Sequence, residues 1–318
     1  MIVAQPTNKL ANQMFTYASV KSIALDKNCE FKYLHKYATY AERRNSSIDK
    51  NYGQDFDTIF SIPEEERIYE LPAGINIINE KSAEGRIYRA YQKEIQGIQD
   101  NTLVNGLLVS PYYFEHRLDE VRKWFEFPVE VELRSNDRIR ELRSRYPDHK
   151  IVAVHFRVGN DYRDGGYLLT YPYWKSAAQF VIKQCENKVI FLLFYDKRMH
   201  YIDKFNAEFP CEIVRGSLVE DLCLMSKCDG NILSNSTFSI WGALLNKKTE
   251  IVTRPSIYPI HSGKVQEDSF LTGWLEMGAK RDFVSGILGG VFHCYGIKRR
   301  IMNFIHKSKL IWDDFTDE

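Results

Sequence analysis

The stretch Lys150–Tyr162 reads KIVAVHFRVGNDY, and the rest of the chain is interpreted around it. Its residues Ile151–Val154 form a continuous apolar run, which is typical of a parallel strand buried on both faces. The run ends at His155 and Arg157, and the turn-forming Gly159 follows. Open α/β sheets bind their ligands at the carboxyl ends of the strands. We therefore expect a cation and an imidazole at a ligand site, although a solvated arginine at an ordinary strand end fits these residue types equally well.

Strand-like and helix-like segments alternate regularly after this strand. The predicted strands are 150–155, 188–195, 212–214, 231–234 and 249–252, and the predicted helices are 172–185, 198–208, 218–227 and 236–246. Such alternation indicates βαβ units that build a parallel, Rossmann-like sheet. The chain contains no G-x-G-x-x-G, so a nicotinamide or flavin dehydrogenase is not expected.

The first half of the chain is less regular. The predicted strands are 2–4, 31–34, 75–78 and 103–109, and the predicted helices start near Asn12 and cover 115–125 and 131–145. Pro147 ends the last helix and marks a junction, because proline cannot continue a helix. The predicted domains are 1–148, 149–285 and a C-terminal extension, 286–318. A chain of 318 residues is long enough for two domains with separate cores.

Composition excludes several classes of protein. The net charge of +1 gives no reason to expect a nucleic-acid partner. No apolar stretch reaches the roughly 18 residues of a membrane-spanning helix, and the N-terminus lacks the pattern of a signal peptide. The six cysteines are scattered without C-x-x-C spacing, as expected for free thiols in a reducing compartment. A cytoplasmic protein is the resulting expectation.

One D-x-D sequence occurs, at Asp55–Asp57. Such a pair of aspartates can hold a divalent metal against a nucleotide diphosphate. A D-x-D sequence with this role comes directly after an apolar strand. Here polar residues precede it, so a loop and a helix cap before Thr58 are favoured, since aspartate is a common cap.

A second polar cluster begins at Ser234 and reads Ser-Asn-Ser-Thr, at the end of a strand and the start of a helix. Four small polar residues exceed what capping requires, so we favour an anion site formed by hydroxyls, backbone N–H groups and the helix dipole. Upstream, Asp221 lies in the first turn of another helix. It is either a partner of the helix dipole or an acceptor for the two adjacent N–H donors of a guanine.

Three segments together resemble the bacterial α1,2-fucosyltransferase family, glycosyltransferase family 11. Residues 11–15, ANQMF, are similar to the family's G-N-Q-M-F, and residues 155–157, HFR, match the start of its H-x-R-R-x-D. Residues 234–243, SNSTFSIWGA, are close to its S-N-S-S-F-S-W-W-G-A. The likeness extends from residue 1 to about residue 255.

The chain departs from the family's second motif at two positions. Val158 stands where the family has a second arginine, and the family's aspartate falls on Asn160, with Asp161 one place later. One cation of the family's motif is therefore missing. Lys9 is a candidate to replace it, and it lies just before Asn12, where the family has glycines.

The resemblance implies an α/β fold of GT-B type, with two Rossmann-like domains facing a central cleft. It implies metal-independent, inverting transfer of L-fucose from GDP-β-L-fucose to the 2-hydroxyl of a terminal galactose, or a similar hexose, in a surface glycan such as an O-antigen or capsule. No cofactor or metal is expected, and GDP-fucose is a substrate.

The same resemblance assigns roles to residues. Without a metal, a protein cation must stabilise the leaving β-phosphate, and Arg157 suits this role because guanidinium binds phosphate oxygens in pairs. The implied catalytic residues are Arg157, His155, Asn12 and Asp161; the implied donor-binding residues are Asp221, Ser234, Asn235, Ser236, Thr237 and Phe238; the implied acceptor-binding residues are Gln13 and Asp164. The acceptor hydroxyl needs either a general base, for which Asp161 is the nearest carboxylate and Asp164 the second, or a transition state that needs little help from a base.

Two alternatives stay open from the sequence. The chain could use another GDP-sugar or another regiochemistry, or it could bind a glycan or nucleotide without catalysis. The segment 297–312, IKRRIMNFIHKSKLIW, predicts a basic amphipathic helix. Such a helix either contacts anionic lipid, which would suit a lipid-linked acceptor, or packs back on the protein.

Overall fold

The computed structural model describes residues 1–35, 56–80, 82–83, 86–87, 91–159, 161–162, 167–257 and 267–280. The described residues form two parallel sheets with helices packed against them, which confirms the predicted α/β, GT-B-like architecture of two Rossmann-like units. The predictions for Asp55, Asn160, Asp164 and residues 286–318 lie outside the described residues.

The first sheet contains five parallel strands in the order β3-β2-β1-β7-β4. Its strands are β1 (Ile2–Ala4), β2 (Phe31–Leu34), β3 (Arg67–Ile68), β4 (Asn76–Asn79) and β7 (Thr102–Asn105), and a separate antiparallel pair is formed by β5 (Ser82–Ala83) and β6 (Arg86–Ile87). The helices of this half are α1 (Leu10–Asp26), α2 (Phe56–Ile59), α3 (Lys93–Gln96) and α4 (Leu118–Trp124).

Two predictions in this half need correction. The strand predicted at 103–109 ends at Asn105, because Leu107 donates its backbone N–H to the Glu80 carboxylate and Leu108 adopts a left-handed conformation with φ of 46°. Asp57 does not cap a helix from outside. It lies inside α2, where its buried carboxylate accepts a hydrogen bond from the Tyr33 hydroxyl at 3.0 Å, and this bond ties the helix to β2.

The second sheet contains six parallel strands in the order β10-β9-β8-β11-β12-β13. They are β8 (Lys150–Phe156), β9 (Val189–Tyr195), β10 (Cys211–Ile213), β11 (Gly230–Ile232), β12 (Ile251–Pro255) and β13 (Leu275–Met277). The helices are α5 (Val129–Arg145), α6 (Tyr171–Gln184), α7 (His200–Glu208), α8 (Leu218–Met225) and α9 (Thr237–Leu244). Only β13 was not predicted, because it is short and largely exposed.

The strand β8 occupies the centre of this sheet, as its apolar sequence predicts. The chain continues from it to β9 on one side, whereas its other neighbour, β11, comes much later in the sequence. This is the classical dinucleotide-binding order, in which ligands bind between the carboxyl ends of the two strands where the order reverses. The crevice is therefore expected between the end of β8 and the end of β11.

The two halves share an apolar core. Trp241 of α9 is fully buried, and its ring lies 5.0 Å from that of Phe15 of α1 and 5.7 Å from that of Phe114. Its indole nitrogen donates to the Ala11 carbonyl at 2.9 Å. Since α1 is enclosed by both halves, it is buried along most of its length, and its buried residues include polar ones such as Thr16 and Ser19.

The segment before the predicted junction also crosses between the halves. Leu142 of α5 is fully buried and packs with Ile151 and Ile190 of the second sheet. The domain boundary at 148 stays a prediction, but the helix that precedes it contributes to the core of the second half. Within the described residues, no helix is both long and apolar enough to cross a bilayer.

Candidate active site

Arg157 directly follows β8 and is fixed from three sides. Its Nη2 lies 2.6 Å from Oδ2 of Asp161, its Nη1 pairs with the carboxylate of Asp196, and its guanidinium carbon lies 4.9 Å from the centre of the Tyr162 ring. Only 15% of the side chain is exposed. The cation that the sequence predicts at the strand end is therefore held rigidly rather than solvated.

Asp196 is the residue of this cluster that the sequence reasoning missed. Besides pairing with Arg157, it accepts the backbone N–H of Val158 at 3.1 Å. A Cβ on Gly159 would lie 2.3 Å from its Oδ2, so any other residue there would displace this carboxylate. The signal was present, because Asp196 follows the apolar run of β9 just as Arg157 follows that of β8.

Val158, the position of the family's second arginine, does not face the site. Its side chain is 8% exposed and packs in the apolar core of the second half with residues such as Phe156. In this chain, position 158 contributes to the core, and a second phosphate-binding cation has to come from elsewhere.

Asp161 bridges the two halves. Its Oδ2 also lies 2.7 Å from the ammonium of Lys9, which precedes α1. Burial by itself would raise the pKa of Asp161, but the positive charges of Arg157 and Lys9 outweigh it and hold this pKa below its usual value. Asp161 is therefore a weaker proton acceptor than a free carboxylate, which argues against the predicted role as a general base.

His155 is buried at the end of β8. Its Nδ1 lies 2.8 Å from the hydroxyl of Ser234, which follows β11, so the two strand ends predicted to form the crevice are in direct contact. Burial and then the charge of Arg157 lower the pKa of His155 to about 3. The imidazole is therefore neutral at physiological pH, and it can orient a ligand but does not supply charge.

The polar residues that follow β11 have different tasks. Ser234 and Asn235 are almost fully buried: the Ser234 hydroxyl contacts His155 and Ser239, and the Asn235 amide donates to the Tyr167 carbonyl at 2.8 Å. Ser236 caps α9 by accepting the backbone N–H of Phe238. Internal bonds therefore account for the hydroxyl-rich sequence, and the partly exposed Thr237 and Phe238 are better placed to meet a ligand than Ser234.

Asn12 and Gln13 lie at the start of α1, which begins at Leu10 with Lys9 as its cap residue rather than at Asn12. Within the described residues, Oδ1 of Asn12 is buried without a hydrogen-bond partner, so it has an acceptor to offer a ligand. The Gln13 amide is instead used internally: it donates to the Asn8 carbonyl at 2.9 Å and accepts from the Phe56 N–H at 3.0 Å. Its predicted contact with the acceptor stays a prediction.

Asp221 lies on α8, beside a second acid with a different role. Glu220 forms a capping box with Ser217. Asp221 instead packs against Gly216, where an added Cβ would lie 2.7 Å from its Oδ1. This Oδ1 is buried without a hydrogen-bond partner in the described structure. Burial, and then the nearby charge of Glu220, raise the pKa of Asp221 to about 7. Such a poorly solvated carboxylate is suited to accept hydrogen bonds from a ligand.

Among the described residues, His, Cys, Asp and Glu form no group of three or more that could hold a metal ion. The described cysteines are free thiols, of which Cys223 and Cys228 are buried and the other three are partly exposed.

Comparison with known proteins identifies the family. The profile of glycosyl transferase family 11 matches residues 109–278, which is more than half of the chain. The chain belongs to glycosyltransferase family 11. The match includes Arg157, Asp196, Asp221 and the segment that begins at Ser234, whereas Lys9 and Asn12 precede it. The resemblance of this family 11 protein that was found in the sequence is confirmed.

Two curated Escherichia coli proteins are similar to this family 11 chain. An α-1,2-colitosyltransferase is 25% identical over 263 residues, which cover 77% of this chain and 87% of that protein. The O-antigen biosynthesis glycosyltransferase WbnK is 32% identical over 93 residues, or 28% of this chain and 30% of that protein.

Solved structures of fucosyltransferases also align with the chain. NodZ from Bradyrhizobium aligns with a TM-score of 0.47 at 14% identity, over 77% of this chain and 92% of that one. A structure of POFUT1 in complex with GDP aligns with a TM-score of 0.46 at 11% identity, over 78% of this chain and 95% of that one.

Proposed function

We propose that this family 11 protein transfers L-fucose from GDP-β-L-fucose, with inversion, to the 2-hydroxyl of a terminal galactose or similar hexose in a bacterial surface glycan. The observation that carries the proposal is the contact between His155 and Ser234, 2.8 Å apart, which joins the ends of β8 and β11. Around this contact lie the braced guanidinium of Arg157 and the amino end of α9, and both are groups that bind phosphate.

Arg157 would act on the leaving group. Cleavage of the bond between fucose and phosphate places negative charge on the β-phosphate of GDP, and a fixed guanidinium stabilises that charge without having to reorganise. Asp196 and the ring of Tyr162 hold Arg157 in position, which reduces the entropy lost in the transition state. Neutral His155 would hydrogen-bond the donor.

Asp221 would read the base of the nucleotide. The orphan oxygen of its carboxylate needs a donor, and guanine offers two adjacent N–H groups on one edge. Asn12 would contribute its orphan amide oxygen from the first half of the chain, where a hydroxyl of the sugar or acceptor could donate to it. A base role for Asp161 is not part of this proposal, because two cations depress its pKa.

The similar colitosyltransferase motivates one alternative donor. Colitose is L-fucose without its 3-hydroxyl, so GDP-colitose would present the same diphosphate and nearly the same sugar. Its transfer to an O-antigen glycan would need the same leaving-group chemistry. We propose GDP-fucose as the donor, and an assay that offers both GDP-fucose and GDP-colitose distinguishes the two.

The test is an activity assay with purified full-length protein in EDTA. GDP-fucose, GDP-colitose and GDP-mannose are each offered with a panel of terminal galactosides, and the products are analysed by mass spectrometry and NMR for linkage and anomeric configuration. An α1,2-fucosyl product is expected. Transfer only from another donor, another linkage, or GDP binding without transfer would each overturn the proposed specificity.

Replacing Arg157 tests the mechanism. The variant Arg157→Ala should lower kcat by about 10²- to 10³-fold, the cost of losing one oxyanion-stabilising group. The exposed Arg140 on α5, which pairs with Asp137, supplies the control, and Arg140→Ala should keep wild-type activity. Activity of Arg157→Ala within about tenfold of wild type would rule out the leaving-group role.

A further inference from the structure

Two cations from the two halves of the protein meet at one oxygen atom. The Lys9 ammonium, which precedes α1, lies 2.7 Å from Oδ2 of Asp161, and Nη2 of Arg157, which follows β8, lies 2.6 Å from the same atom. Two positive charges that share one partner oxygen repel each other, and the negative charge between them offsets this repulsion. The point occupied by Oδ2 is therefore a position built for an anionic oxygen.

The Asp161 carboxylate is the replaceable member of this cluster. Arg157 keeps two supports without it, the carboxylate of Asp196 and the ring of Tyr162 at 4.9 Å. The Asp161 side chain is 38% exposed, so a ligand arriving from solvent can reach it. A phosphate oxygen can thus take the place of the carboxylate without displacing Arg157.

We propose that Lys9 is a second diphosphate-binding cation, and that Asp161 occupies the position of a phosphate oxygen until the nucleotide arrives. The inference rests on the proposed GDP-sugar donor. It explains how the site works although Val158, at the position of the family's second arginine, is buried in the core. The missing cation is supplied from the opposite half of the protein.

The first experiment measures the affinity of full-length protein for GDP and for guanosine by calorimetry. Lys9→Met should weaken GDP binding about tenfold, equivalent to about 1.4 kcal/mol, and should leave guanosine binding unchanged because guanosine has no phosphate. Lys9→Arg, which keeps the charge, should retain GDP affinity within about threefold. Lys150, paired with Glu250 at 2.7 Å at the opposite end of β8, supplies the control, and Lys150→Met should bind GDP like wild type.

The second experiment uses Asp161→Asn. If Asp161 holds the place of a phosphate oxygen, removal of its charge takes the anionic partner from Lys9 and leaves Arg157 with Asp196 alone, and GDP binding should tighten severalfold. Weaker GDP binding by this variant would overturn the place-holding role, because it would mean that Asp161 supports the bound state.

The outcomes separate this inference from the proposed function. Wild-type GDP affinity in Lys9→Met overturns the role of Lys9 while GDP remains the donor nucleotide. Failure of the wild-type protein to bind GDP overturns both. Loss of both GDP and guanosine binding in Lys9→Met would mean that this substitution disturbs the fold. Lys9→Arg then decides, and the role of Lys9 is rejected if this variant also loses both.

Discussion

Glu220 and Asp221 are adjacent acids on α8 with opposite electrostatic situations. Glu220 accepts the Ser217 N–H at 2.8 Å in a capping box, and this hydrogen bond lowers its pKa. Asp221 is buried beside that charge, and its pKa rises to about 7. One acid stabilises the helix, and the other is kept poorly solvated at the expense of stability, which is typical of a functional residue.

The affinity for GDP should therefore depend on the protonation of Asp221. Only the ionised carboxylate accepts two guanine N–H groups, so GDP binding should weaken as pH falls below about 7, approaching tenfold per pH unit. Asp221→Asn should remove this dependence and weaken binding at pH 8 by about 10- to 100-fold, as expected for hydrogen bonds to a charged group. Calorimetry measures the GDP affinity of wild type and Asp221→Asn from pH 5.5 to 8.5. A pH dependence that both proteins share comes from the GDP phosphate, and the additional dependence of wild type comes from Asp221.

The same variant reports on the cost of burial. Because the folded-state pKa of Asp221 lies above its unfolded value of 3.8, stability from this group is present at low pH and is lost as pH rises towards about 7. At pH 8, Asp221→Asn should therefore unfold at higher urea concentration than wild type. Equal pH dependence of GDP binding in the two proteins would contradict the guanine-binding role.

At the scale of elements, the close contact of α8 and α9 aligns the two parts of the donor site. Asp221 lies on α8 and the hydroxyl-rich segment opens α9, and the two helices approach at Gly242. A Cβ on Gly242 would lie 2.6 Å from Cε and 3.0 Å from Cβ of Met225. Glycine is needed at position 242 because the Met225 side chain fills the space that a methyl group would occupy.

Gly242→Ala should separate the two helices slightly. We expect it to lower the free energy of unfolding by about 1–3 kcal/mol, the usual cost of overpacking a core, and to weaken GDP binding more than it weakens binding of inorganic phosphate. Urea unfolding and calorimetry measure both. Gly278, where an added Cβ would meet nothing within 4 Å, supplies the control. Equal effects of Gly242→Ala and Gly278→Ala would contradict the packing argument.

At the scale of the whole molecule, the two halves are held together by polar contacts as well as by a shared core. Arg122 of α4 donates to the Leu244 carbonyl at 2.9 Å and to the Asn246 carbonyl at 3.0 Å, and so satisfies the carboxyl end of α9 from the other half. Trp241 of the same helix donates to Ala11, the residue before Asn12. These contacts couple the donor side of the site to the start of α1.

Two tryptophans allow this coupling to be tested with the same substitution. Trp241→Phe removes the side-chain hydrogen bond to the Ala11 carbonyl, which should cost about 0.5–1.5 kcal/mol for that bond and lower transferase activity by moving Asn12. Trp174, which is equally buried but whose Nε1 has no partner in the described structure, supplies the control. Trp174→Phe should lose less stability and keep activity. Urea unfolding and the transfer assay provide the two measurements, and equal losses in both variants would exclude coupling through Ala11.

Most of the second half could be predicted from the sequence, because apolar runs and helical periodicity are local properties. The strand that ends at His155 and the helix that opens after Ser236 lie where their sequences predict them. The first half was harder, since the two-residue strand β3 was not predicted and a left-handed Leu108 ends β7 earlier than its apolar sequence suggests. The family was also recognisable, because the motif 234–243 is long and most of its residues are buried.

The sequence by itself determined the fold class, the central strand β8 and the family. Only the tertiary structure decided which of its polar residues act together: that Asp196 braces Arg157, that Lys9 reaches the same carboxylate from the other half, and that Val158 lies in the core. The reason is physical. Local patterns specify strands and helices, whereas the contacts between strand ends depend on the order of strands in the sheet, which is set by packing between segments far apart in the chain.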